Sequence, residues 1–207
     1  MSNGEQANLK YKLSFGTGGL HLDEAIALAC LHSSPETWNE TIAKAVVAGI
    51  FQSKRSSSAK RVLREIGKKL STLSERELSM LIDGNRDDQK ALMWIATCRA
   101  YRLIAEFAFE VVVSRHASFV PDLTYDDFDA FFERKADWAG ELHSITASTR
   151  AKLRAVLFRL MREADILSAE NQLLSASFSL SLLAYLQEIG GGDLGYFPEP
   201  RGGVWRV

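Results

Sequence analysis

Residues Lys54–Leu70 read KRSSSAKRVLREIGKKL. Lys54, Arg55, Lys60, Arg61, Arg64, Lys68 and Lys69 face a single acid, Glu65, and seven cations against one leave a local balance of +6 in a chain whose formal net charge is −1. At helical spacing Lys60, Arg61, Arg64 and Lys68 fall within about 100° of one another, and Ala59, Val62, Leu63, Ile66 and Leu70 fill an arc of about 100° on the opposite side. The stretch therefore predicts a helix, 56–71, with one face to bury and one face to be positive. Ser56, Ser57 and Ser58 stand where a helix cap belongs, and hydroxyls beside free backbone N–H groups suit a phosphate. The competing reading is a solvated basic face on an ordinary surface helix.

A second stretch divides the same way. Thr146 is placed to cap a helix over Ala147–Ala164. Leu153, Val156, Leu157, Leu160 and Ala164 make its apolar side, and Ser148, Lys152, Ala155, Arg159 and Arg162 make the opposite one. Residues Asp165–Ser168 and Gln172–Ser175, joined by Ala169-Glu-Asn171, can form a short hairpin. Two helices, the second basic, followed by a hairpin is the order of elements in a winged helix.

Helical patterning runs through the rest of the chain. Leu22–Leu31 reads as a helix; Ser34 is placed to cap a second, with Pro35 first and Glu36 in its opening turn, burying Trp38, Ile42, Ala45 and Val46 and ending at Gly49. Ser74-Glu-Arg-Glu77 is a capping box for a short helix that stops at Gly84. Arg86–His116 predicts the longest helix, about 45 Å if continuous. Thr124-Tyr-Asp-Asp127 opens another, which carries Phe128, Phe131 and Phe132 inside, and Phe178–Ile189 is the last.

The fold class expected is all-α. Two helical subdomains, 1–84 and 119–189, are bridged by the long helix within 85–118. The second subdomain reads either as winged-helix-like with its small β-hairpin or as a plain helical bundle with a surface hairpin, and a Gly/Pro-rich tail, 190–207, follows. Tyr196, Phe197 and Trp205 suggest that the tail docks on the core or on a partner.

Chemistry-bearing motifs are missing. His21, His32, His116 and His143 are scattered, and Cys30 and Cys98 have no metal-ligand or thiolate-pair spacing, so no metal and no cofactor is expected. Asp126, Asp127, Asp129 and Glu133 resemble a carboxylate metal site, yet acids in a first helical turn answer the dipole. Gly16-Thr-Gly-Gly19 lacks the Gly-Lys-Ser/Thr ending of a phosphate loop, and no dinucleotide fingerprint or Gly-x-Ser-x-Gly elbow occurs. An enzyme reading has no residue to attach to. The most membrane-like segment, Ala91–Val113, is interrupted by Arg99, Arg102, Glu106 and Glu110. No secretory signal opens the chain, and two lone thiols fit a reducing compartment, so a cytoplasmic location is expected.

Five blocks in order carry a resemblance: YKLSFGTGGL at Tyr11–Leu20, KRSSSAKRVLREI at Lys54–Ile66, ATCRAYRLIAEF at Ala96–Phe107, LTYDDFDAFFERKADW at Leu123–Trp138 and STRAKLRAVLFRLMREADIL at Ser148–Leu167. Together they resemble the BrxA family of the BREX phage-defence systems, over about residues 11–170. The resemblance implies a small, soluble, all-helical protein with a NusB-like arrangement, which binds double-stranded DNA and is encoded with other BREX proteins. It carries no catalytic motif across. Contact residues come from helical geometry alone: Lys54, Arg55, Ser56, Ser57, Lys60, Arg61, Arg64 and Lys68 on the first face, and Ser148, Thr149, Lys152, Arg159 and Arg162 on the second. The expected function is a non-enzymatic DNA-binding component of such a system. An adaptor holding other defence subunits and an RNA-binding factor are the alternatives.

Overall fold

The computed structural model describes residues 10–49 and 56–199, and it is all-α. The helices are α1 (Leu22–Leu31), α2 (Trp38–Val47), α3 (Ser56–Leu70), α4 (Glu75–Asp83), α5 (Arg86–Ala100), α6 (Arg102–Phe107), α7 (Ser114–Ala117), α8 (Tyr125–Ala136), α9 (Gly140–His143), α10 (Ala147–Glu163) and α11 (Leu180–Glu188). A π-helical stretch, Ala108–Val113, joins α6 to α7, and 3-10 turns span Ser14–Thr17 and Gly192–Tyr196.

Helix α5 is the axis of the core. Every residue from Ala91 to Cys98 is buried, so this helix is enclosed on all sides where an amphipathic one was expected. It packs against α1, α3, α4 and α10. The α3 residues Ala59, Val62, Leu63, Ile66 and Leu70 are buried as their spacing predicts. Gly67 lets α2 and α3 close up, since a Cβ there would stand 2.9 Å from Ile42 Cδ1.

The caps explain where several helices begin. Ser74 with Glu77 and Thr124 with Asp127 form reciprocal capping boxes, and Thr146 accepts from the Thr149 amide. Helix α2 starts later than expected: Thr37, not Ser34, caps it, because Glu40 returns the bond and completes a capping box. Val46 is exposed on this helix rather than buried.

The long bridging helix is broken. At Tyr101 the backbone takes φ −134° and ψ 95°, ending α5, and Tyr101 then caps α6. The break turns the Tyr101 ring into the core, where its hydroxyl donates to the Glu65 carboxylate and its face meets Phe15 edge-on at 5.3 Å. The expected wing is also reduced. Among the described residues there are only isolated antiparallel bridges, Leu167–Leu173 and Asp122–Gln172, and no strand. The Leu173 amide donates to the Pro121 carbonyl, so the second arm is shared between its own turn and the 121–123 segment.

The described part of the tail docks on its own core. Phe197 is buried against Phe178, the Trp94 indole N–H donates to the Tyr196 carbonyl, and Asp193 pairs with Arg99. Arg99 is forked between Asp193 and Glu77 and also donates to the Thr72 carbonyl, which ties α4, α5 and the tail together.

Candidate nucleic-acid interface

On α3, Lys60, Arg61 and Arg64 are exposed, and among the described residues none of the three is in an ion pair or hydrogen bond. Three neighbouring cations with no counter-charge make a site for an anion. Lys54 and Arg55 lie outside the described residues. Ser56 and Ser57 open the helix, and their side chains also lie outside what is described.

Lys68 and Lys69, at the end of the same helix, are not equivalent to these. Lys68 is half-buried, with its ammonium 3.8 Å above the Tyr101 ring and 3.3 Å from Ser14 Oγ. Burial pushes its pKa down, Glu65 opposes that, and Lys12 adds to the lowering. Lys12 is exposed, so it extends the positive face. It sits in no helical period, and no spacing argument could have found it. Lys69 is buried, and its ammonium donates to the Gly19 carbonyl at 3.0 Å. Desolvation lowers its pKa to about 8, against the pull of Glu65 and Glu163.

The segment 14–20 joins α3 to α10. Lys68 and Lys69 hold it from one side. From the other, Glu163 Oε2 accepts from the Leu20 amide while Glu163 Oε1 accepts from Arg159 Nε at 2.8 Å. Gly18, at φ 72°, lies against α10: a Cβ there would be 3.4 Å from Val156 Cγ2 and 3.9 Å from Arg159 Nη1. The glycine-rich turn is therefore a packing device rather than a phosphate loop. Both basic helices thus contact this segment, α3 near Lys68 and Lys69 and α10 near Val156, Arg159 and Glu163.

On α10 the cations separate into two groups. Lys152 is exposed and among the described residues has no ion pair or hydrogen bond; Arg159 is exposed, with only the i,i+4 partner Glu163. An exposed pair of that kind is worth about 0.3–0.5 kcal/mol, so Arg159 stays available. Arg162 is drawn back, donating to the Asn171 side chain. Ser148 and Thr149 are exposed in the first turn, within 3.0 and 2.9 Å of Thr146 Oγ1. The buried arc of α10 is wider than expected, since Phe158 and Met161 join the core.

Three of the four acids of α8, Asp127, Asp129 and Glu133, are committed to arginines. Arg150 pairs with Asp129 and Glu133, Arg154 with Asp129, and Arg115 with Asp127. The Arg150 and Arg154 pairs border a cavity of about 560 Å³ between α8, α9 and α10. Among the described residues no group of His, Cys, Asp or Glu is placed to hold a metal ion. No helix of the described residues is long and apolar enough to cross a membrane.

The structure is thus that of an all-helical protein with exposed cations on two of its helices, α3 and α10. The BrxA family model matches residues 9–190, and the chain belongs to the BrxA family. BrxA family proteins are part of BREX phage-defence systems. The chain is 24% identical over 152 residues to the BREX protein BrxA of Bacillus cereus (strain H3081.97), covering 72% of this chain and 76% of that one. It is 24% identical over 184 residues to the BREX protein BrxA of Paramagnetospirillum magneticum (strain ATCC 700264 / AMB-1), covering 88% and 92%. With that of Escherichia coli O9:H4 (strain HS) it shares 26% over 161 residues, covering 77% and 74%. A crystal structure of an uncharacterized protein from Magnetospirillum magneticum has the same fold, with a TM-score of 0.74 at 22% identity over 91% of this chain and 98% of that one.

Proposed function

We propose that this chain is a non-enzymatic, double-stranded-DNA-binding component of a BREX-type phage-defence system, working in the cytoplasm beside other BREX proteins. The observation that carries the reading is the set of exposed cations on two helices that share the contact with segment 14–20. Lys60, Arg61 and Arg64 on α3 and Lys152 and Arg159 on α10 are all exposed, and segment 14–20 touches α3 at Lys68 and α10 beside Arg159. Such faces neutralise phosphates without reading bases, so binding would be strongly salt-dependent and tolerant of sequence. Base-edge contacts, if made, fall to the exposed hydroxyls and Lys152 at the start of α10.

The test is a gel-shift titration with duplex DNA, single strands and RNA at two salt concentrations. Duplex binding that weakens steeply with salt supports the proposal. No duplex binding at low salt overturns it, and tighter binding of RNA than of duplex moves the function to RNA.

A further inference from the structure

A groove of about 420 Å³ runs between α2 and α3, and its make-up differs from that of a phosphate site. Its floor is Ile42, Ala43 and Val46; its α3 wall is Lys60 and Arg64. It continues along α3 toward Lys68, past Trp38. Val46 is 46% exposed and the adjoining Val47 89%. A phosphodiester has nothing to bury on that floor, whereas a protein helix has apolar side chains that would gain from it.

The wall specifies the charge of the occupant. Lys60, Arg64 and Lys68 follow one another at four-residue intervals, about 6 Å apart along the helix. Carboxylates at i and i+4 on a facing helix repeat at the same distance. Segments 1–9, 50–55 and 200–207 do not supply a pair of carboxylates, since 50–55 has no acid. Residues 1–9 contain one acid, and residues 200–207 contain Arg201 and Arg206 with none.

We propose that the α2–α3 groove receives an acidic amphipathic helix of a partner protein, its apolar face on Ile42, Ala43 and Val46 and its carboxylates on Lys60 and Arg64. The inference shares those two cations with the DNA reading, so helix and duplex exclude one another there, but the apolar floor belongs to the helix alone.

The experiment places p-benzoylphenylalanine at Asn39, beside the floor, in cells carrying the chain's complete BREX system, and maps the photo-adduct by mass spectrometry. The expected adduct is a protein segment with aliphatic residues at helical spacing and Asp or Glu along one flank. Ala43→Gln/Val46→Gln, which makes the floor polar without adding charge, should cut its yield at least tenfold while the purified variant binds duplex within twofold of the original. Val46→Gln alone serves if the double variant melts early. Lys60→Glu/Arg64→Glu should lose both. An adduct with DNA only, with a second copy of the chain, with a segment lacking acids, or no adduct overturns the proposal. An acidic-helix adduct without any duplex binding upholds the groove and removes the DNA reading.

Discussion

The buried ammonium of Lys69 donates to the carbonyl of Gly19 at 3.0 Å, so the end of the basic helix α3 is fastened to the turn that packs on α10. One lysine of the basic stretch therefore fastens a turn to the helix end instead of presenting charge to a ligand.

That placement has a pH signature. The Lys69 pKa is lowered from the ordinary 10.5 to about 8. Between those values the unfolded chain binds the proton and the folded one releases it, so this group makes stability rise with pH across about 8 to 10.5. The charge penalty is fully present below about pH 8. Lys69→Met should remove that rise. The stability of the original relative to the variant should rise by about 3 kcal/mol over the window, as read from urea melts at stepped pH. Tyr11 and Tyr101, whose pKa values are raised by burial, act with the opposite sign above pH 10 and are common to both proteins.

Lys60→Glu/Arg64→Glu should weaken duplex binding at least tenfold, with Tm unchanged within a few degrees. Both side chains are exposed and without described partners, so the fold does not depend on them. Replacing them instead with Gln should lower the slope of log affinity against log salt by about 1.8, the loss of two phosphate contacts. Unfolding of either variant would make this face structural.

Lys152→Gln/Arg159→Gln should reduce duplex affinity to a similar degree. If the two faces form one surface, combining both pairs of substitutions abolishes the shift. Unchanged binding after the α10 changes would confine any DNA contact to α3.

Gly18→Ala should cost about 1–3 kcal/mol, because a Cβ is strained at φ 72° and meets Val156 Cγ2 at 3.4 Å. Chemical denaturation measures this. Duplex affinity should fall as well if the contact of the turn with α3 and α10 positions their cations; full affinity in a destabilised but folded variant would separate the turn from binding.

Arg99→Ala should cost about 3–5 kcal/mol, because it leaves Glu77 and Asp193 partly buried without their shared cation. Trp94 fluorescence should change with it, since its indole N–H bonds the docked tail at Tyr196.

The helices were legible wherever a local pattern specifies local structure. Apolar spacing placed the buried side of α3, and Ser74–Glu77 and Thr124–Asp127 set helix starts through bonds three residues apart. Misreadings arose where distant partners decide. Tyr101 leaves the helix as its ring enters the core and its hydroxyl reaches Glu65, thirty-six residues away. The arm at Leu173 bonds Pro121 as well as its own turn. Both are tertiary competitions invisible to periodicity.

The candidate site divides along the same line. The sequence alone determined that α3 and α10 each carry cations opposite a core face, since one residue's position on a helix follows from its number. Only the tertiary structure decided which of those cations are available. It buried Lys69, tied Arg150 and Arg154 to the α8 acids, turned Arg162 to Asn171, and left Lys60, Arg61, Arg64, Lys152 and Arg159 facing outward. It also joined α3 to α10 through Ser14–Leu20, a packing role that the glycines of that segment do not reveal in sequence. The physical reason is that a charge's availability depends on what the fold brings within a few ångströms of it, and for these residues those neighbours lie many positions away along the chain.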